Sequence, residues 1–208
     1  MLRLEGWLRL NHKPCRADTE PDDQRQPLVL IADAQVSRKL DNADAFFRML
    51  SALEHGSADV IFLGDIFDLW IALPAYEDDL HRAFLAWCQR QKANRRIGFI
   101  EGNHEFFLAQ THPDMFSWCT HRPWWLDAEG HLFCHGDRIN RRDRNYRLFR
   151  QLIRNPVNKY VMTLLPFGPR LAHRIKIGMQ GAKQQCPKRL PFDELQRFAE
   201  ARFDRGAK

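Results

Sequence analysis

The chain of 208 residues is 44% hydrophobic and 28% charged, a balance typical of globular proteins and not of disordered ones. Its formal net charge of +6 favours an acidic partner, such as phosphate, nucleic acid or an anionic membrane surface. The five cysteines are scattered without a C-x-x-C pair, which argues against a disulfide framework, and no apolar run reaches the roughly 18 residues of a membrane span. The length suits one domain, or one domain with a small cap.

The chain begins with a polar segment, residues 1–26, which has mixed charge and lacks the apolar segment of a secretion signal. We predict a poorly ordered extension there. The first apolar run, 28–32, follows and ends on Asp33. A helix is predicted over 44–54, with Asn42 or Asp41 as its cap.

Three further apolar runs end beside a glycine and a polar residue. These are 60–63 before Gly64-Asp65, 97–100 before Glu101-Gly102-Asn103-His104, and 132–134 before His135-Gly136. Such runs predict buried strands of a parallel sheet, and their spacing of about 30 to 40 residues leaves room for a helix in each crossover. A second helix is predicted over 77–92 and a loop over 111–125.

Beyond Asp137 the pattern becomes basic and helical. Helices are predicted over 144–154, 157–165, 170–179 and 192–203, with prolines at the breaks. We therefore predict a domain over 27–208 that carries a helical cap at about 140–190. A solvated helical face explains the basic residues equally well.

The polar residues at the strand ends predict a metal site, because parallel strands end at one edge of a sheet. Asp65 is the candidate for a carboxylate shared by two ions. Asp33 would complete one site, while Asn103 and His135 would complete the other. Oxygen and nitrogen ligands together suit Mn, Fe or Zn, and two such ions promote phosphoester hydrolysis. His104 is the candidate to protonate the leaving oxygen or to bind phosphate.

The motifs Gly64-Asp65-Ile66-Phe67-Asp68, Gly102-Asn103-His104-Glu105 and His135-Gly136-Asp137 resemble those of calcineurin-like metallophosphoesterases. The resemblance implies an α/β fold, the αββα sandwich of that family, with a helical cap insertion. The tract from Cys134 to Pro156 and the stretch Asp65–Ile71 resemble the UDP-2,3-diacylglucosamine diphosphatase branch of lipid A biosynthesis.

That branch implies a cytoplasmic enzyme, peripheral to a Gram-negative inner membrane. It hydrolyses the pyrophosphate of UDP-2,3-diacylglucosamine to UMP and 2,3-diacylglucosamine 1-phosphate (lipid X), with manganese as cofactor. The resemblance makes Asp143 a substrate contact, and Lys183 and Lys188 pyrophosphate contacts, together with Asn103 and His104. The cap would enclose the acyl chains. A lipid-linked nucleotide and the membrane surface are the implied partners; nucleic acid is not expected, and the oligomeric state stays open.

The chain departs from this family at two places. Gln35 stands where the family has the histidine of Asp-x-His, so an amide oxygen would replace an imidazole nitrogen as metal ligand. No Gly-His-x-His motif follows before Lys208. We therefore expect one firmly bound Mn²⁺ at most instead of two, and missing C-terminal strands that leave a sheet edge and apolar surface uncovered.

Two alternatives stay open. The first is a metallophosphoesterase that acts on another phosphodiester or a nucleotide, because His104 follows Asn103 where the lipid A enzymes carry arginine. The second is a non-catalytic relic that binds lipid, phosphate or a protein.

Overall fold

The computed structural model describes residues 26–137, 139, 154–164 and 192–203. A four-stranded sheet forms the centre, and all its strand pairs are parallel. In spatial order the strands are β1 (Leu28–Ile31), β2 (Asp59–Phe62), β4 (Ile97–Ile100) and β6 (Trp118–Thr120). The strands predicted from the first three apolar runs are therefore confirmed, with bounds that agree within one residue.

The predicted loop over 111–125 is wrong, because β6 and most of β7 (Trp124–Leu126) lie within it. The prediction that β8 (Leu132–Cys134) joins the parallel sheet is also wrong. It pairs antiparallel with β7 instead. A tight turn between the two strands explains this pairing: Asp127 and His131 exchange hydrogen bonds, and Gly130 has a positive φ of 90°.

Two helices cover one face of the central sheet. They are α1 (Ala43–Leu53) and α2 (Asp79–Gln91), close to the predicted 44–54 and 77–92. Phe46 and Leu50 of α1 and Phe84 of α2 are buried against the sheet. The burial of these apolar side chains supplies the main stabilising contribution of this layer.

The β7–β8 hairpin covers the opposite face of the sheet. Ile61 and Ile100 pack there against Phe133 of β8, and the rings of Trp118 and Trp125 stack with their centroids 4.7 Å apart. Gly98 in β4 makes space for the Trp118 indole, because an added Cβ would collide with it. Alternate residues of the strands thus face helices and hairpin, which is an α/β arrangement of layers.

β1 differs from the prediction of a fully buried strand. It lies at the edge of the sheet, and its Leu28 and Leu30 are 42% and 50% exposed. Leu30 is paired with Ile61, so these side chains lie on the hairpin face of the sheet, at an edge that the described residues leave exposed. The expectation of missing C-terminal strands stays a prediction.

Two short strands and a short helix follow the loops at the carboxyl ends of β2 and β4. β3 (Trp70–Ile71) pairs in parallel with β5 (Glu105–Phe106), and α3 (Leu108–Thr111) follows directly. The helix α4 (Pro156–Leu164) packs on this pair through buried Met162. The final helix, α5 (Phe192–Phe203), places the guanidinium of Arg202 over the ring of Trp124 of β7.

α4 and α5 agree with the predicted helices 157–165 and 192–203. Helix 170–179, helix 144–154 except for Arg154, most of the predicted cap and residues 1–25 of the predicted extension lie outside the described residues. Among the described helices, none combines the length and the apolar character that a membrane crossing needs.

Candidate metal centre

The ends of β2 and β4 touch through two glycines. A Cβ on Gly64 would lie 2.5 Å from the backbone nitrogen of Gly102, and a Cβ on Gly102 would lie 2.6 Å from that of Asp65. Gly64 and Asp65 both have positive φ values, 89° and 54°, so the chain turns sharply as it leaves β2. The main chains can approach this closely because neither glycine carries a side chain. This contact brings Asp65 and Asn103 to one edge of the sheet.

Glu105 connects the loop after β2 with the loop after β4. Its carboxylate accepts hydrogen bonds from the backbone N–H groups of Asp65 (2.9 Å), Ile66 (2.8 Å) and Gly102 (2.9 Å). The residue is fully buried. Burial raises the pKa of Glu105 to about 8, the nearby Asp65 carboxylate acts in the same direction, and the three N–H groups oppose both. Glu105 therefore fixes the backbone on each side of the contact.

Three predicted ligands meet beside this contact. Nε2 of His135 lies 3.1 Å from Oδ1 of Asn103 and 3.5 Å from Oδ1 of Asp65. Asp33 contributes a carboxylate oxygen, and the ligand atoms of Asp33, Asp65 and His135 all lie within 4.8 Å of one another. The structure thus brings together four of the five residues predicted to hold metal.

The hydrogen bond of His135 Nδ1 leaves Nε2 free to face the other candidate ligands. Nδ1 of His135 lies 2.7 Å from the carbonyl oxygen of Leu63, which can only accept, so Nδ1 carries the hydrogen. Nε2 is then the ring nitrogen that faces the oxygens of Asn103 and Asp65, and in a neutral imidazole it carries the lone pair. Electron-pair donors that converge in a buried position repel one another unless a proton or a metal cation lies among them. The mixed oxygen and nitrogen donors fit a divalent transition metal.

His104 lies at the same edge and is buried. Its Nδ1 is 2.5 Å from the carbonyl oxygen of Asp68, and its Nε2 is 3.8 Å from Oδ2 of Asp65. The backbone N–H of His104 donates to Oδ1 of Asp65 (2.9 Å). With Nδ1–H donating to Asp68, Nε2 is the ring nitrogen that faces the metal ligands. The structure therefore places the predicted acid next to the site.

Gln35 is held beside the site by its backbone. Its N–H donates to the carbonyl oxygen of Asp65 (3.0 Å), while the N–H of Asp33 donates to that of Gly64 (3.0 Å). The amide of Asn42 donates to the carbonyl oxygen of Ala34 (3.1 Å). Asn42 precedes α1 as predicted, but its side chain supports this loop instead of capping the helix. Metal ligation by the Gln35 side chain stays a prediction.

The match to known proteins agrees with this geometry. The family model of the calcineurin-like phosphoesterases matches residues 26–185, which is most of the chain. The chain belongs to the calcineurin-like phosphoesterase family.

Relatives of this phosphoesterase carry a more specific name. The UDP-2,3-diacylglucosamine hydrolase of Stutzerimonas stutzeri is 28% identical over 166 residues, which cover 72% of this chain and 65% of that protein. The enzyme of the same name from Edwardsiella ictaluri is 30% identical over 166 residues, which cover 76% of this chain and 61% of that protein. The chain thus spans somewhat under two thirds of the length of these relatives.

Some predicted site residues lie outside the described part of the phosphoesterase: Asp143, Lys183 and Lys188. Their contacts with substrate stay predictions. Two described residues at the site had no role in the sequence analysis, Glu105 and Arg154. The position of Glu105 directly after His104 in a motif was a signal for the first. Arg154 lies in the tract that resembles the diphosphatase branch, but the resemblance gave no role to its side chain.

Proposed function

We propose that the chain is a metal-dependent phosphoesterase that holds one ion firmly through Asp65, Asn103 and His135, with Asp33 as a further ligand. The observation that carries this proposal is the convergence of His135 Nε2 with the oxygens of Asn103 and Asp65. A bound divalent ion supplies Lewis acidity toward a phosphate oxygen and lowers the pKa of water. Manganese is the proposed ion.

The side chains around the ion have separate tasks. Nδ1 of His104 is hydrogen-bonded to the carbonyl oxygen of Asp68, so the reacting nitrogen is Nε2. A proton on Nε2 would be donated to the leaving oxygen or would form a hydrogen bond to a phosphate oxygen. Glu105 keeps Asp65 and Gly102 in place through three backbone hydrogen bonds.

The proposed substrate is UDP-2,3-diacylglucosamine, which would give UMP and 2,3-diacylglucosamine 1-phosphate. Support comes from the names of the relatives and from the exposed apolar side chains of α4 next to the site. Lys183, Lys188 and Asp143 would contact the substrate. The enzyme would act at the cytoplasmic surface of the inner membrane, where its lipid-linked nucleotide is found.

One observation favours a different phosphodiester or a nucleotide as substrate. The buried ring of His104 is confined by Asp68, so it lacks the reach and the permanent charge of an arginine at that position. A simple phosphodiester carries less negative charge than a pyrophosphate and therefore needs fewer cationic contacts.

Product analysis separates these substrates. The purified chain is incubated with Mn²⁺ and either UDP-2,3-diacylglucosamine or bis(p-nitrophenyl) phosphate, and the products are identified by mass spectrometry. We expect UMP from the first substrate and slow release of nitrophenol from the second. Nitrophenol alone would establish the alternative substrate class. Asp65→Ala should abolish turnover and Mn²⁺ binding; binding by the wild-type chain without turnover of either substrate would refute the enzymatic function.

A further inference from the structure

Arg154 reaches the metal site from the start of α4. Its guanidinium donates to Oε2 of Glu101 (2.7 Å) and to the carbonyl oxygens of Gly102 (2.8 Å) and Glu105 (2.6 Å). The side chain of Arg154 is 14% exposed and that of Glu101 is 1% exposed. This is a buried ion pair with two additional backbone acceptors, the arrangement in which a planar guanidinium gives the most directional hold.

The acceptors of Arg154 bracket the residues that face the ion. Glu101 and Gly102 precede Asn103, and Glu105 follows His104. The second oxygen of Glu101 accepts from the backbone N–H of Ala109 (2.8 Å), so the pair is anchored in α3 as well. The guanidinium therefore fixes both ends of the short loop that carries Asn103 and His104.

The same arginine is attached to a helix that packs on the core. Met162 of α4 is buried against the β3–β5 pair, and the hydroxyl of Tyr76 donates to the carbonyl oxygen of Met162 (3.1 Å). The guanidinium of Arg154 also lies 5.7 Å from the ring centroid of Phe106. The packing of α4 on the core and the position of Arg154 on the loop therefore depend on each other.

We propose that Arg154 is a positioning residue that holds Asn103 in its ligating position, so that docking of α4 and metal binding stabilise each other. This inference rests on the metal site proposed above. Residues that orient metal ligands through hydrogen bonds typically change metal affinity by about 10- to 100-fold when they are lost. Coupling between two events is reciprocal, so the ion should also strengthen the docking of α4.

Charge and positioning predict opposite results for substitutions at 154. A guanidinium close to a cation disfavours metal binding by repulsion, so removal of the charge alone would tighten binding. Arg154→Lys keeps the positive charge but cannot reach all three acceptors. Arg154→Met removes the charge and the hydrogen bonds. If positioning dominates, both variants weaken Mn²⁺ binding by about tenfold.

Arg95 offers a matched control at the opposite end of β4. It is also buried and donates to four backbone carbonyl oxygens, those of Leu53, Glu54, Gly56 and Ala58. Arg95→Lys should lower the melting temperature and leave the Mn²⁺ dissociation constant unchanged. It separates a general loss of stability from a local effect on the site.

The experiment combines calorimetric titration with Mn²⁺ and amide hydrogen exchange without metal. We expect weaker binding in both Arg154 variants and faster exchange at residues 102–105 and in α4, with Arg95→Lys unaltered in each respect. Wild-type affinity in Arg154→Lys, or tighter binding in Arg154→Met, would overturn the positioning role. If the wild-type chain binds no Mn²⁺, the proposed metal site fails and the affinity part of this inference fails with it. In that case the exchange rates at residues 102–105 decide the positioning role separately, and unaltered rates would overturn it.

Discussion

At the scale of single residues, Gly102 is where the geometry of the metal site is most sensitive. A methyl group there would collide with the Asp65 carboxylate and lie 3.0 Å from Oε2 of Glu105. The β2 and β4 ends would have to separate, because no rotation of a side chain relieves contact with backbone atoms.

We expect Gly102→Ala to lose Mn²⁺ binding and to lower the free energy of unfolding by about 2 to 4 kcal/mol. Gly56→Ala is the control, since its added Cβ would meet only the carbonyl oxygen of Leu53, at 3.8 Å. Metal titration and chemical denaturation of both variants test this. Normal Mn²⁺ affinity in Gly102→Ala would show that the two strand ends are not in fixed contact.

His81 makes stability depend on pH. Its ring is buried against Phe67 and Trp70, and burial lowers its pKa below 6.5, against the opposing effects of Asp78 and Glu77. As the pH falls, His81 therefore binds a proton more readily in the unfolded chain than in the folded chain. The contribution of His81 to stability is therefore complete above about pH 6.5 and falls as the pH decreases below it, by up to about 1.4 kcal/mol per pH unit.

The test compares unfolding between pH 7 and pH 5 in the wild-type chain and in His81→Gln. Glutamine at this third helical position keeps the capping box that begins at Asp78. We expect a smaller slope in His81→Gln, whereas substitution of exposed His55 by glutamine should leave the slope intact. Glu77, whose pKa is lowered, acts only below about pH 4.5. Glu105, whose pKa is raised, opposes His81 between pH 5 and pH 7, but its contribution is common to both chains and cancels in the comparison.

The ligands were accessible from sequence because each follows a strand end directly. Asp65, Asn103 and His135 come within a few residues of an apolar run; the parallel sheet brings Asp65 and Asn103 together, and the β7–β8 hairpin delivers His135 to the same edge. Arg154 was not accessible in this way. Its function depends on how α4 packs, and packing is set by long-range contacts that local pattern does not contain.

At the scale of elements, α4 combines a docked face with an exposed apolar one. Four of its side chains, spaced as one helical stripe, are 44% to 67% exposed: Val157, Tyr160, Val161 and Leu164. Such a stripe on a basic protein suits the surface of an anionic membrane.

We expect Leu164→Ser to weaken binding to vesicles that contain anionic lipid by about tenfold. Leu40→Ser is the control, because Leu40 is similarly exposed at 53% but lies in a separate turn. Co-sedimentation with vesicles measures both variants. Equal losses in the two would point to unspecific adsorption, and no dependence on anionic lipid would contradict the membrane role.

The central strands and the helices were predictable because their apolar patterns are regular. β6 and β7 were not, since short tryptophan-containing segments beside Pro113 and Pro123 have the composition of a loop. The pairing of β8 depended on the turn at Gly130, which favours a hairpin over a distant parallel partner. The exposure of β1 follows from its edge position, which the run 28–32 alone does not reveal.

At the scale of the whole molecule, metal binding should stabilise the fold. A ligand that binds only the folded chain adds about 2.7 kcal/mol at a concentration 100 times its dissociation constant. We expect Mn²⁺ to raise the melting temperature of the wild-type chain and to leave that of Asp65→Ala unaltered.

Asp59→Asn provides the control for this comparison. Asp59 is also buried, but it pairs with Arg96 at the opposite end of the sheet. This variant should melt earlier than the wild type and still respond fully to Mn²⁺. A response that persists in Asp65→Ala would place the ion elsewhere on the molecule.

The contact between Gly64 and Gly102 separates position from chemistry in this protein. The spacing of the strand ends is determined by main-chain atoms in van der Waals contact, whichever side chains follow. Residues 65 and 103 therefore occupy fixed positions at which side chains with different donor atoms can be placed. Replacing an imidazole ligand by an amide at such a position changes which metal ion binds best, but not where the ion is bound.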